Sequence, residues 1–226
     1  MVFDLDNTLV ESQIDYHLMK LDVLDELVRL GVEPALLDRS RTIVENVQKG
    51  KERLAAMHPD LDLSKVDRRI NALLTSRELE RVETARAHPG AHSALRAVQS
   101  AGLLTALLTR GSREYALKVL LITGLDGTTG PCVCRDDYPL EEAKPNPLAM
   151  RRVAAKLGLD AVDCLYVGDH PMDLECARAS GAGFVAVTTG TTDRERWSRS
   201  GCRTIIDSVA DLPSLLERVR GGSDDI

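Results

Sequence analysis

The chain has 226 residues, a formal net charge of -6, 43% hydrophobic residues and 3% aromatic residues, enough to bury a large core in one domain or in a domain carrying an insertion. The acidic balance and the absence of a basic cluster with interleaved aromatics exclude nucleic acid and an anionic membrane surface as expected partners. Apolar runs reach only a handful of residues, far short of the ~20 that span a bilayer.

Five cysteines, an odd number, include Cys132, Cys134 and Cys164 in apolar surroundings. Cys132-Val133-Cys134 lacks a second pair or a histidine at zinc spacing, so it reads as alternation on a short strand, with the thiols reduced. No leader precedes Asp4, so the expected location is cytoplasmic.

In chain order, Met1 to Leu5 reads as a buried strand running into Asp4-Leu5-Asp6-Asn7-Thr8, which sets two carboxylates and a hydroxyl on the turn that ends it. From about Ser12 to Arg86 no strand pattern occurs. Ile14, Leu18, Leu21, Leu24, Leu27 and Val28 form a helical stripe that Ser12 with Asp15 caps. A second helix is expected over Ala35 to Gln48, then a turn at Met57-His58-Pro59-Asp60. A third starts near Ser64 and carries Val66, Ile70, Leu73, Leu74, Leu79 and Val82, with an interruption near Thr75-Ser76. His88-Pro89-Gly90 punctuates the return, implying hinges near Val10 to Ser12 and Arg86 to Pro89.

Beyond it, strand patterns at Leu103 to Leu108, Pro131 to Cys134, Asp163 to Val167, Gly183 to Val187 and Arg203 to Ile206 alternate with helical patterns. The helices are Ala91 to Ala101, Arg113 to Ile122, Pro147 to Leu157, Met172 to Ser180 and Val209 to Val219. Such alternation predicts a doubly wound parallel α/β sheet. The division is residues 1-11 and 87-226 for the core and 12-86 for an all-helical cap, with a frayed tail at Gly221 to Ile226.

Three further segments join the first turn: Leu107-Leu108-Thr109-Arg110-Gly111-Ser112, Lys144-Pro145-Asn146-Pro147 and Val167-Gly168-Asp169-His170-Pro171-Met172-Asp173. Their order, residue types and spacing resemble the four motifs of the haloacid dehalogenase superfamily of phosphohydrolases, from residue 3 to about residue 190. The resemblance implies a Rossmann-like core whose helical cap closes over the site and sets specificity. It also implies Asp4 as a nucleophile that forms an aspartyl-phosphate, and Asp6 as general acid and then base, its carbonyl ligating metal. Dehalogenase members lack an acid at that place, so Asp6 favours phosphoryl transfer.

Mg²⁺ wants hard oxygen ligands, and the candidates are Asp4, Asp6 and Asp169, with Asp173 one helical turn beyond Asp169 to hold a metal-bound water. Thr109, with the N–H groups of Arg110 and Gly111, could cradle the phosphoryl group. Lys144 would neutralise Asp4 and the phosphoryl group together.

Asn7 stands where Gly is frequent in the family, which its tolerance of positive φ permits. Arg110 stands where a small polar residue is common; its guanidinium contacts an anionic substrate group or points to solvent. Three residues before Asp4 make a short central strand, so a native start upstream is expected. The cap carries 13 Lys and Arg against 14 Asp and Glu between Ser12 and Arg86, which argues against a polyanion funnel; Tyr16, His17 and Lys20 lie nearest the hinge.

The leading reading is a Mg²⁺-dependent phosphatase of a small phosphorylated metabolite, resembling the phosphoglycolate phosphatase branch, as a monomer or homodimer. A sugar phosphomutase competes, but Tyr16-His17 is similar to a mutase cap motif only with a shift of one residue, and Gly168-Asp169 differs from the Glu-Asp pair of those mutases. A non-catalytic binder would be expected to have lost Asp4, Asp6, Lys144 or Asp169, and phosphonate cleavage would need Lys20 as a Schiff base.

Overall fold

In the computed structural model, which describes residues 1–220, the chain opens with β1 (Val2–Phe3), buried on both faces. This strand is shorter than the expected Met1 to Leu5 because the ladder stops at Asp4, whose N–H still donates to the Val167 carbonyl at 2.9 Å. The Leu5 carbonyl then accepts from the N–H groups of Leu9 at 2.9 Å and Val10 at 3.0 Å, curling the chain through Asn7 at φ 57. Few residues other than Gly hold that left-handed conformation, and Asn is one. The turn ends in β2 (Val10–Glu11).

Three helices follow, α1 (Tyr16–Arg29), α2 (Ile43–Met57) and α3 (Leu63–Leu79). Asp15 caps α1 by accepting from the Leu18 N–H at 2.9 Å, but its buried face is Met19, Val23, Leu24 and Leu27, with Leu18 and Val28 exposed. The helix is therefore rotated from the expected stripe, because Met19, Val23 and Leu27 at four-residue spacing meet the facing helices.

The expected second helix is displaced. A single 3-10 turn at Pro34–Leu36 breaks off, Asp38 accepts from the Ser40 N–H at 2.8 Å, and α2 begins only after a capping box between Thr42 and Glu45. Asp38 and Thr42 thus offer the backbone local hydrogen bonds that outcompete an earlier start. α3 runs through Thr75-Ser76 without interruption, since both side chains sit off its buried line of Val66, Ile70, Leu74 and Glu78.

These helices enclose their own apolar cluster, which Leu140 from the core enters. Return to the core is by β3 (Arg86–Ala87), antiparallel to β2 with Val10 opposite Ala87. The two segments expected as hinges are thus zipped into a ribbon, a pairing too short to leave a pattern in the sequence.

The remaining elements are α4 (Ala91–Ser100), β4 (Ala106–Leu108), α5 (Arg113–Thr123), β5 (Cys132–Val133), α6 (Pro147–Lys156), β6 (Leu165–Gly168), α7 (Pro171–Ser180), β7 (Gly183–Val187), α8 (Arg194–Arg199), β8 (Thr204–Ile206) and α9 (Leu212–Arg220). Their strands form with β1 a parallel sheet in the order β5-β4-β1-β6-β7-β8. Helix α8, which no periodicity announced, buries Trp197 under β7, where its indole N–H donates to the Val187 carbonyl at 3.2 Å. The tail expected at Gly221 to Ile226 lies outside the described residues.

Alternation along the strands sends Phe3, Leu107 and Val167 into a cluster with α4, α5 and α9, and Val2, Ala106, Leu108 and Tyr166 into one with α6 and α7. Both faces are thereby covered, as a parallel sheet requires. The chain winds outward from β1 first through β4 and β5, then back through β6, β7 and β8. Strand order therefore reverses at β1, and the crevice beyond its carboxyl end is where such sheets bind ligands. Among the described residues no helix is long and apolar enough to cross a membrane.

Gly90 starts α4 at φ 85, where an added Cβ would lie 2.5 Å from the Ala210 Cβ. Gly158 has a similar φ of 72 with nothing within 4 Å. Gly158→Ala should lose only the left-handed preference, about 1–2 kcal/mol. Gly90→Ala should lose more, seen as the larger drop in thermal midpoint.

Candidate active site

Every strand bordering the crevice ends in a polar residue of the expected motifs: β1 in Asp4, β4 in Thr109 and β6 in Asp169, with Phe3 in register with Leu107 and Val167. Into this point reaches Lys144, from the loop before α6. Its ammonium is 3% exposed as a residue and donates to Asp4 Oδ1 at 2.6 Å, Asp173 Oδ1 at 2.7 Å and the Tyr166 hydroxyl at 2.7 Å. Burial works against its charge, but Asp173 and Asp4 overcome it and hold the ammonium protonated well above the usual lysine range.

Asp4, Asp169 and Asp173 each offer a carboxylate oxygen within 4.8 Å of the others. Three carboxylates thus share one ammonium. Burial raises the Asp4 pKa, Lys144 opposes the rise, and Asp173 and Asp169 add to it. Asp169 is pushed up to about 7, by burial first and then by Asp173.

Two surplus negative charges on hard oxygens are what a divalent cation such as Mg²⁺ would balance, so the residues present fit that group. Asp4 and Asp169 have oxygens to give it. Asp173 spends Oδ1 on Lys144 and Tyr166 and Oδ2 on the His170 N–H at 3.1 Å. Asp173 thus orients Lys144, and Oδ2, with one protein donor, keeps a lone pair for a metal-bound water.

Asp6 lies on the same mouth, accepting from the Tyr115 hydroxyl at 2.5 Å. Burial raises its pKa against the opposing pull of that hydrogen bond. Thr109 is buried, and its Oγ1 accepts from the Gly111 N–H at 2.9 Å, so that amide is turned to the threonine oxygen. A Cβ on Gly111 would lie 2.8 Å from the Tyr115 ring, and one on Gly168 2.6 Å from Asp173 Oδ2. Both glycines are there because side chains of the site occupy the space a methyl would need.

The residues surround a cavity of about 410 Å³ between the sheet and the helical insertion, which Arg110, Tyr16 and Lys20 also line. His17, expected beside them, is exposed on α1 and lies off the cavity lining, because Tyr16 and Lys20 share the helix face turned inward.

Sequence reading missed the contact that docks the insertion. Arg135, buried at the end of β5, forms an ion pair with Glu78 of α3, and its other donors reach Asn71 Oδ1 at 3.0 Å, Thr75 Oγ1 at 3.1 Å and the Arg110 carbonyl at 3.1 Å. Glu78 in turn accepts from the Ser112 N–H at 3.0 Å. The Thr109–Ser112 loop is thereby held from both sides by one buried pair. Glu78 was legible as an acid on the buried line of α3, four residues after Leu74. Tyr115 and Tyr166, whose hydroxyls reach Asp6 and Lys144, left no such signal.

Removing one partner of a buried ion pair strands the other charge, which costs about 3–5 kcal/mol. Arg135→Met should therefore lower stability by about that much in chemical denaturation. Adding Glu78→Leu should restore part of the loss; an additive double variant would contradict the coupling.

Comparison with known proteins supports the motif reading. A model of the haloacid dehalogenase-like hydrolases matches residues 1–181. The chain is 27% identical over 223 residues to the phosphoglycolate phosphatase of Xylella fastidiosa strain Temecula1, covering 96% of this chain and 91% of that one. It is 25% identical to the N-acetylmuramic acid 6-phosphate phosphatase of Pseudomonas aeruginosa, covering 96% and 94%. A crystal structure of a HAD family hydrolase from Deinococcus radiodurans, with bound phosphate and sodium, superposes with a TM-score of 0.63 at 23% identity, covering 97% of this chain and 95% of that chain. By its motifs, fold and family match, this chain is an enzyme of the haloacid dehalogenase-like hydrolases.

Proposed function

We propose that the protein is a Mg²⁺-dependent phosphatase that cleaves a small phosphate monoester through an aspartyl-phosphate on Asp4. The names of the relatives make phosphoglycolate the first substrate to try. The carrying observation is the single buried ammonium among three carboxylates at the switch point of the sheet, with a fourth carboxylate, Asp6, lining the same cavity.

In this reading Asp4 attacks phosphorus and the ester oxygen leaves with the proton of Asp6; Asp6 then takes a proton from the water that releases phosphate from Asp4. Burial, which raises the Asp6 pKa, favours the protonated form that a general acid must present first. Lys144 and Thr109 contact the phosphoryl oxygens and offset their charge. Asp4 and Asp169 would hold the Mg²⁺, which supplies further positive charge to the phosphoryl group when bound. Tyr166 and Asp173 keep Lys144 aimed at Asp4.

Phosphate release from a panel of monoesters, with Mg²⁺ or chelator, tests this. Turnover should need the metal, vanish in Asp4→Asn and fall about 10²- to 10⁴-fold in Asp6→Asn. Turnover that survives Asp4→Asn, or isomer conversion without phosphate release, would contradict it.

Proton linkage gives a second check. The folded pKa of Asp169, about 7, lies above its ordinary 3.8, so the folded state binds a proton that the unfolded chain has released. Through Asp169, metal-free stability should fall as pH rises from about 4 to about 7. Mg²⁺ competes with that proton. It should raise the thermal midpoint more at about pH 8 than at about pH 5.5; equal shifts would contradict binding at Asp169.

A further inference from the structure

Four cations line the cavity, and two of them are committed to the protein. Lys144 is held by Asp4 and Asp173, and Arg135 by Glu78. The other two are not. The guanidinium of Arg110 has the Met172 sulfur at 3.1 Å as its partner and, among the described residues, no carboxylate within the 4.0 Å of an ion pair. Lys20 of α1 donates to the Arg39 carbonyl at 3.2 Å and likewise has no carboxylate there.

A thioether is a weak acceptor and carries no charge, so the guanidinium keeps four of its five donors for another group. The lack of an anionic partner is unusual for an Arg at a cavity wall, because taking the cation from water is compensated only by an anion or by strong acceptors. Its backbone is also fixed: Arg135 pins the Arg110 carbonyl at 3.1 Å and Tyr115 closes over Gly111. Met172, which lines the same cavity, contacts the guanidinium, while its neighbour Asp173 is buried against Lys144.

We propose that Arg110, assisted by Lys20, is a second anion site, so that the substrate is a phosphate monoester bearing a further carboxylate or phosphate. This rests on the phosphatase reading. Arg presents a planar fork that takes either anion bidentately, and the Lys ammonium arrives from the helical insertion, so an ester with an anion at its far end would bridge core and insertion. Alcohol-derived esters of the same length leave both cations unpaired and are discriminated against.

The test compares kcat/KM for 2-phosphoglycolate, propyl phosphate and propane-1,3-diol bisphosphate in the wild type, Arg110→Met, Arg110→Lys and Lys20→Met. Wild type should favour an anion-bearing ester over propyl phosphate, and Arg110→Met should shrink that ratio by about 10- to 100-fold, the worth of a charge-assisted hydrogen bond, with Arg110→Lys between. Which anionic ester leads tells carboxylate from phosphate.

A wild type without preference, or an Arg110→Met variant that slows all three esters by one factor, would overturn the proposal. If no ester turns over, the phosphatase reading fails separately. The anion site is then judged by calorimetric binding of 2-phosphoglycolate to Asp4→Asn with and without Arg110→Met: tenfold weaker binding upholds it and unchanged binding overturns it.

Discussion

Everything about the site follows from placing one ammonium where three carboxylates converge out of water. Lys144 alone cannot neutralise Asp4, Asp169 and Asp173; burial first, and then the neighbouring carboxylate charge, raises the pKa values of Asp4 and Asp169. A buried charge is tolerated only when it is paired and hydrogen-bonded on all sides. That requirement explains Tyr166, which gives Lys144 a neutral oxygen, and Asp173, whose second oxygen is capped by the His170 N–H. It also explains why Gly168 has no side chain, because Asp173 fills the space.

The sheet supplies the convergence. Parallel strands bring β1, β4 and β6 to a common end, and reversal of the winding at β1 leaves that end uncovered by a crossover helix. The helical insertion covers it instead. Contacts that tie that insertion to the loops of the site include Arg135 with Glu78 beside Thr109–Ser112, Lys51 with Glu141, and Leu140 in the apolar cluster of the helices, four residues before Lys144. Movement of the insertion would therefore reach both the Thr109–Ser112 loop and the lysine.

Where the sequence was readable, a repeating constraint wrote the pattern. Strand β7 was expected with its observed limits, and α4, α5, α6 and α7 came within a residue at each end, because apolar periodicity and Gly or Pro boundaries coincide there. Helix α2 was misplaced because its start is set by Thr42 with Glu45 rather than by its stripe. The ribbon of β2 and β3 is two residues long on each side, too short for any period.

The motif residues of the site were legible because order and spacing carry them. Arg135, Tyr115 and Tyr166 left no signal, since Glu78, Asp6 and Lys144, through which they act, lie more than 20 residues away in the chain; Glu78 itself broke the apolar line of α3 and was overlooked. Arg110 was visible as a departure from the family pattern, yet only the cavity shows that its guanidinium faces inward.

Asp4 is the group proposed to take the phosphoryl, and the chemistry of every other residue in the site depends on it. The most direct measurement is acid quench of the enzyme during turnover with Mg²⁺, followed by borohydride reduction of any acyl phosphate and peptide mass mapping. The account predicts modification at Asp4, appearing only with ester and metal. Modification at Asp6 instead, or turnover with no trapped intermediate at any quench time, would contradict it.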